Sequence, residues 1–128
     1  MITDELNAIQ EYLEEPLTDD PELVEARGSM LQVYLARSGK IFADSKAAYN
    51  KAITSEVMEI LKKAAMGAGA SHTAVNALVK AACREEQYLV DWSERIHKTT
   101  ARQLDWCRSV LSKYKAELTM NTYGGGGN

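Results

Sequence analysis

The segment YLARSGKIFADSK, residues 34–46, contains the residue types that come closest to phosphate chemistry. Its pair Gly39-Lys40 resembles the end of a phosphate-binding loop, where backbone N–H groups cradle phosphates and the lysine contacts them. That loop also needs a glycine five residues before Gly39 and a serine or threonine after Lys40, but these positions hold Tyr34 and Ile41. The flanking patterns are helical on both sides, whereas the loop joins a strand to a helix. We therefore predict the middle of a helix, in which small residues favour close packing.

A second polar segment, SERIHKTTARQ, covers residues 93–103 and interrupts an apolar helical pattern. Arg95 and Arg102 are seven residues apart and so share a helix face, which suits them to bind an anion. If the two long predicted helices are antiparallel about a turn near residue 69, Arg37 and Lys40 lie opposite residues 98–101. The predicted ligand-binding set is Tyr34, Arg37, Lys40, Arg95, His97, Lys98, Thr99 and Arg102. The alternative is a structural polar layer that sets helix register.

Other catalytic chemistry has little support in the sequence. The two histidines and two cysteines lack the spacing of metal ligands, and the chain has no nucleophile motif such as G-x-S-x-G. We expect no metal, no cofactor and no catalytic residue. The one enzymatic arrangement that the sequence allows is a magnesium-dependent nucleotide hydrolase, a remote alternative, with carboxylate pairs at Glu56 and Glu59 and at Asp91 and Glu94.

The elements that must position these residues are predicted to be helices. Both prolines lie within the first 21 residues, so more than 100 residues lack the strongest helix breaker. Apolar residues at steps of three, four and seven predict an all-α protein, an elongated antiparallel helical hairpin or bundle. Its predicted helices cover residues 3–14, 21–65, 72–82 and 84–119, with the segment MGAGAS, residues 66–71, as a turn.

Side chains at the predicted helix starts suit the N-cap position. Thr3, Asp20 and Ser71 are each expected to cap a helix, because their oxygens can accept from free N–H groups of the first turn. A break near Thr54 and Ser55 stays open as an alternative. We assign residues 1–119 to one helical domain, with an acidic helix and linker in residues 1–20, and residues 120–128 to a flexible glycine-rich tail.

Charge is unevenly distributed along the chain. Residues 1–25 hold nine acids and no lysine or arginine, whereas the remainder holds nine acids and 15 basic residues, giving −9 + 6 = −3. One interpretation is that residues 1–25 form an acidic arm that lies against the mildly basic remainder, the body, or stays solvated. The alternative is that the body binds an anion and the arm modulates access to it. The absence of a long apolar run, of a signal-peptide pattern and of a CxxC pair predicts a reduced cytosolic protein without a membrane span. Apolar flanks that one hairpin cannot cover predict a homo-oligomer.

Several short motifs carry a resemblance to a known family. They are A-R-[ST]-G-K-x-x-A-[DE] at residues 36–44, E-x-Y-L-V-x-W at 86–92, R-[LI]-[NH] at 95–97 and D-x-x-R-[ST] at 105–109. Over residues 20–118 the chain resembles small all-helical proteins of phages and prophages, especially of Bacteroidetes, whose genes often lie near those of single-strand DNA metabolism. The resemblance implies a viral origin and a host bacterial cytosol, and it supplies no catalytic residue.

Two functional hypotheses follow from these observations. The first is a non-enzymatic, oligomeric phage or prophage protein that engages a host component or sequesters an anionic ligand such as a nucleotide immune signal, in an anti-defence role. The second is an accessory protein of phage recombination or replication that binds single-stranded DNA or a recombinase. The second hypothesis needs stacking aromatic residues, and the sequence pattern instead predicts Tyr88, Trp92 and Trp106 in the core.

Overall fold

The protein is all-helical in the computed structural model, which describes residues 1–65, 67 and 71–125, without the side chains of residues 65 and 122–125. The described residues form four helices and no strand: α1 (Ile2–Glu14), α2 (Pro21–Ala65), α3 (His72–Ala82) and α4 (Arg84–Gly125). The two long helices, α2 and α4, pack against each other. The predicted all-α bundle is therefore confirmed. Within the predicted turn only Gly67 is described, and its φ of +96° is a conformation that favours glycine.

Local capping chemistry defines two of the helix starts. The Asp20 carboxylate accepts from the backbone N–H of Glu22 at 3.0 Å, and the Ser71 hydroxyl accepts from the N–H of Ala74 at 3.2 Å. Both predicted caps are confirmed. The cap predicted at Thr3 is wrong, because α1 begins at Ile2 and its N-cap, Met1, makes no side-chain cap hydrogen bond.

The long helices differ from the sequence-based expectations at two places, inside α2 and at the end of α4. α2 is continuous through the break considered near Thr54, whose hydroxyl donates to the Asn50 carbonyl at 2.9 Å within the same helix. α4 continues six residues beyond its predicted end at residue 119. Thr119 also donates to the carbonyl four residues before it, and no proline stops the helix here. Residues 126–128 of the predicted flexible tail lie outside the described residues.

The chain divides into two compact units, and both long helices contribute to each. The first unit comprises Met1–Ser38 and the chain from Ile96 onward, and the second comprises Gly39–Arg95. The prediction of one helical domain stays a prediction.

The first unit is a three-helix arrangement in which α1 lies against the start of α2 and the later part of α4. The apolar face of α1 is completely or almost completely buried. Gly28 lies where the two long helices are in contact, and a Cβ there would lie at an ordinary contact distance of 3.8 Å from the Cβ of Cys107. The buried apolar residues of this unit are Leu6, Ile9, Leu13, Val24, Leu31, Ile96, Leu104 and Cys107.

The second unit is built from the later part of α2, all of α3 and the first turns of α4. α3 and α4 are almost continuous, because only Cys83 separates them and its N–H still bonds the Val79 carbonyl at 3.0 Å. The buried apolar side chains in the described part of this unit are Ile41, Val79, Cys83 and Val90. Among the described residues of this unit, four large apolar side chains remain more than half exposed: Met58, Leu61, Leu78 and Tyr88.

Candidate functional site

The two cations of the glycine–lysine segment both contact carboxylates. Arg37 forms a bidentate ion pair with Glu5 of α1, with Nε and Nη2 at 2.6 and 2.8 Å from the two carboxylate oxygens. This hydrogen bonding holds the pKa of Glu5 below its ordinary value. Lys40, in the second unit, lies 2.7 Å from Asp44 one helical turn later. Both cations are therefore already neutralised locally, which weakens their candidacy as phosphate ligands.

His97 of the predicted set takes part in a polar contact between α2 and α4 in the first unit. Its Nδ1 lies 3.0 Å from the hydroxyl oxygen of Ser38, and that hydroxyl donates to the Leu35 carbonyl at 3.2 Å. The tautomer of His97 decides whether Nδ1 or the Ser38 hydroxyl donates in this contact. The contact places residue 38 opposite residue 97, about three residues from the predicted register.

The polar interruption of α4 contains two fully buried hydroxyl residues that bond to their own helix. Ser93 donates to the Val90 carbonyl at 3.1 Å, and Thr100 donates to the Ile96 carbonyl at 2.7 Å. For these two residues, burial with local satisfaction fits the structural polar layer. The neighbouring members of the predicted set differ in exposure, since Thr99 is half-buried while Lys98 and Arg102 are exposed.

A buried polar network in the first unit was not predicted. Arg27, only 8% exposed, donates through Nη2 to the Tyr12 carbonyl at 3.1 Å and to Oε1 of Gln103 at 2.9 Å. Gln103 in turn donates to the Leu13 carbonyl at 2.9 Å. These carbonyls end α1, whose last turn has no basic residue, so Arg27 supplies the positive charge that the negative end of the helix favours.

The same arginine lies over an aromatic ring, which in turn contacts a second ring. The Arg27 guanidinium lies 4.9 Å from the centroid of the Tyr12 ring, which lies 5.0 Å from the ring of Tyr34. Burial raises the pKa of the Tyr12 hydroxyl. Tyr34, a member of the predicted ligand set, is thus half-buried in this cluster. A glutamine inside the apolar stripe of α4 was the sequence signal that could have revealed the network, because buried polar groups need partners.

The second unit carries a shallow, open groove of about 300 Å³, lined by Tyr88, Asp91, Trp92 and Arg95 of α4. We call these four residues the aromatic–arginine surface. The two rings lie 5.8 Å apart at an angle of 42°, and Tyr88 is 62% exposed. Arg95 is exposed and forms no ion pair with any described residue. Gln87 donates to one oxygen of Asp91 at 2.8 Å and so orients that carboxylate.

The exposure of the α4 aromatic residues corrects the sequence-based assignment of all three to the core. Tyr88 is largely exposed, Trp92 is half-buried, and Trp106 in the first unit is 37% exposed. The heptad spacing indicated one face of the helix, but the neighbouring helices cover only part of that face. Rings with accessible edges or faces can stack on a ligand, which core residues cannot do.

Searches of protein-family profiles, of curated proteins and of solved structures found no match to this chain. The described helices include none that could cross a membrane. No cluster of three or more histidine, cysteine or acidic side chains in the described part of the chain is arranged to hold a metal ion, and this includes the two carboxylate pairs of the hydrolase alternative. Cys83 and Cys107 are free and buried, and burial raises the pKa of each thiol.

Proposed function

We propose that the protein is a non-enzymatic helical binding protein that holds a nucleotide through the aromatic–arginine surface. The observation that supports this proposal most is the exposed Tyr88 ring beside Trp92. One turn further along α4 lies the guanidinium of Arg95, which pairs with no described carboxylate. A nucleobase stacks on the rings, and Arg95 contacts the phosphate. Asp91, oriented by Gln87, accepts a hydrogen bond from a sugar hydroxyl or a base amino group.

This proposal moves the ligand away from the segment that first suggested one. Arg37 and Lys40 are neutralised by Glu5 and Asp44, whereas Arg95 keeps its charge available. The setting that accompanies the proposal is the one that the motif resemblance implies: a phage or prophage protein in a bacterial cytosol. There it sequesters a nucleotide signal as a homo-oligomer.

Calorimetric titration with nucleoside monophosphates, cyclic dinucleotides and short oligonucleotides tests the proposal. Trp92→Ala is expected to weaken binding of the nucleotide that titrates by about 5- to 150-fold, since stacking on an aromatic ring contributes about 1–3 kcal/mol per base. Arg95→Gln should also weaken nucleotide binding, and the loss of affinity should be larger at low salt than at high salt. Arg37→Gln is the matched control and should leave the affinity within about twofold. Equal losses for both arginine variants, or no binding of any nucleotide, would contradict the proposal.

Single-stranded DNA is the second candidate ligand, and one specific observation favours it. The first unit also presents an exposed arginine and tryptophan one turn apart on α4, Arg102 and Trp106. Proteins that bind a polynucleotide without sequence preference commonly do so through repeated aromatic and basic residues. If DNA is the ligand, affinity rises with oligonucleotide length, falls steeply with salt, and is reduced by Trp106→Ala. A mononucleotide ligand responds to Trp92→Ala alone.

A further inference from the structure

The groove of the aromatic–arginine surface presents a ring, a carboxylate and a guanidinium in one order along α4. Tyr88, Asp91 and Arg95 line it at spacings of three and four residues, which place them on one face of the helix. At 1.5 Å per residue, Asp91 lies about 4.5 Å beyond Tyr88 along the helix axis, and Arg95 lies about 6 Å beyond Asp91. The carboxylate therefore lies between the aromatic end and the cationic end of the groove.

A nucleotide carries three chemical groups in the same order. Its base stacks on aromatic rings, its sugar donates hydrogen bonds through hydroxyl groups, and its phosphate is an anion. When the base lies on Tyr88 and Trp92 and the phosphate lies at Arg95, the sugar lies beside Asp91. An ionised carboxylate accepts hydrogen bonds and donates none, so it attracts sugar hydroxyls and repels phosphate. This order favours a sugar hydroxyl over a base amino group as the partner of Asp91.

A glutamine one turn earlier on α4 keeps the carboxylate and the guanidinium apart. Asp91 and Arg95 are four residues apart, a spacing at which opposite charges on a helix commonly pair, yet no ion pair joins them among the described residues. Instead, Nε2 of Gln87 donates to Oδ1 of Asp91 at 2.8 Å and draws the carboxylate toward the preceding turn. Oδ2 makes no hydrogen bond to any described residue, so it can accept from a ligand.

We propose that Asp91 binds the sugar hydroxyls of the nucleotide, so that the aromatic–arginine surface takes ribonucleotides in preference to nucleotides that lack those hydroxyls. Gln87 is a positioning residue that prevents Asp91 and Arg95 from neutralising each other. The inference rests on the proposed function, because it needs a nucleotide whose base lies on the rings. A site that accepts a hydrogen bond from a hydroxyl discriminates against the analogue without it. A ribose preference also separates a ribonucleotide from single-stranded DNA as the ligand.

Calorimetric titration with sugar analogues tests this preference. The probes are the 5′-monophosphates of adenosine, guanosine, cytidine and uridine, each in its ribose, 2′-deoxyribose and 2′,3′-dideoxyribose form. For the base that binds, affinity should fall by about 5- to 20-fold from the ribose to the dideoxyribose form, since each lost hydroxyl removes a hydrogen bond. Asp91→Ala should reduce this ratio to within about twofold. The matched control is Asp105→Ala, because Asp105 is also an exposed acid of α4 but lies in the first unit, and it should keep the ratio of the wild type.

The role of Gln87 is tested with the dideoxyribose form, which has no hydroxyl for Asp91. Gln87→Leu should lower its affinity by about threefold, because Asp91 then pairs with Arg95 and competes with the phosphate. Adding Asp91→Ala to Gln87→Leu should restore the affinity to that of Asp91→Ala alone, which a merely structural role of Gln87 would not produce.

The outcomes separate this inference from the function on which it rests. Equal affinities of the wild type for the three sugar forms, or a ribose preference that survives Asp91→Ala, would overturn the inference while nucleotide binding itself stands. No binding of any form would contradict the proposed function and the inference together. A Gln87→Leu variant that binds the dideoxyribose form as the wild type does would overturn the positioning role of Gln87.

Discussion

The same two helices run through both units of the chain, yet they bury different kinds of side chain in each. In the first unit, α1 adds a third helix, and large residues such as Leu6, Ile9 and Leu31 have no exposed surface. In the second unit, Ile41 is the one described side chain of that size that is buried, and the other buried positions include the smaller Cys83 and Ser93. The difference indicates that α1, more than the apolar pattern of the long helices, decides where a large core can form, because α1 covers a flank that the two long helices would otherwise leave in water.

The two units also differ in whether their polar side chains interact in the core or on the surface. The first unit buries Arg27, whose Nη2 donates to Gln103 and to the Tyr12 carbonyl at the end of α1, whereas in the second unit Gln87 and Asp91 pair on an exposed surface. A buried network constrains the packing of α1 on the long helices. An exposed network costs little to change, and it leaves the aromatic–arginine surface accessible to a ligand.

The strongest test of this difference between the two cores is to truncate one leucine of α2 in each unit. Leu31→Ala in the first unit should lower the free energy of unfolding by about 2–5 kcal/mol, because Leu31 is 0% exposed and its removal leaves a cavity. Leu61→Ala in the second unit should change it by about 0.5 kcal/mol or less, because Leu61 is already 58% exposed. Urea denaturation followed by circular dichroism measures both. Equal losses would show that the two units have equivalent cores.

The second prediction compares glutamines of α4. Gln103→Leu removes an acceptor from buried Arg27 and a donor from the Leu13 carbonyl, so it should lower the free energy of unfolding by about 2–3 kcal/mol. Gln87→Leu removes only an exposed hydrogen bond to Asp91 and should change stability by about 0.5 kcal/mol or less.

A double variant distinguishes the network from simple packing at residue 103. Arg27→Met combined with Gln103→Leu removes the buried charge together with its acceptor and should recover part of the loss. Urea denaturation of the two single variants and the double variant completes the cycle. If the losses of the single variants simply add, Arg27 and Gln103 do not act as a pair.

The third prediction replaces one glycine of each unit by alanine, and the two substitutions are expected to change the free energy of unfolding in opposite directions. Gly28→Ala should raise the free energy of unfolding by about 0.5–1 kcal/mol, because alanine favours helix and its Cβ would lie at ordinary contact distances of 3.8 and 4.0 Å from Cys107 and Leu104. Gly67→Ala should lower it by about 1–2 kcal/mol, because its φ of +96° strains any residue with a Cβ. Thermal unfolding of both variants under one condition checks the signs. A destabilising Gly28→Ala would mean that the helices are too close for a methyl group.

Local signals in the sequence predicted the helices well, and distant contacts account for most of what they missed. Asp20 and Ser71 act on N–H groups two or three residues away, so their roles follow from the neighbouring residues. Arg27 and Gln103 are 76 positions apart, and their hydrogen bond depends on the register between α2 and α4. A register error of about three residues is enough to hide such a pair.

The candidate site was harder to predict than the helices, for a related reason. Periodicity identifies the face that carries Tyr88, but exposure depends on which other helices cover that face. Conversely, Arg37 looked available from sequence because its partner, Glu5, belongs to a helix whose position periodicity does not specify. Of the predicted ligand residues, Arg95 alone belongs to the aromatic–arginine surface.

The smallest expected effect concerns the Arg37–Glu5 ion pair, which attaches α1 to α2 in the first unit. Hydrogen bonding to Arg37 lowers the pKa of Glu5 from its ordinary value of 4.5, so the folded protein holds this carboxylate ionised more strongly than the unfolded chain does. The stabilisation is therefore present above pH 4.5 and is lost as the pH falls through the lower pKa of the folded state. Because both side chains are partly exposed, the pair contributes only about 0.5–1 kcal/mol. A double-mutant cycle with Glu5→Gln and Arg37→Gln, measured by urea denaturation, should give this coupling at pH 7 and a progressively smaller one as the pH falls below 4.5. A coupling that is unchanged in acid would mean that the attachment of α1 does not depend on the charge of Glu5, and that the buried Arg27 network holds this helix without it.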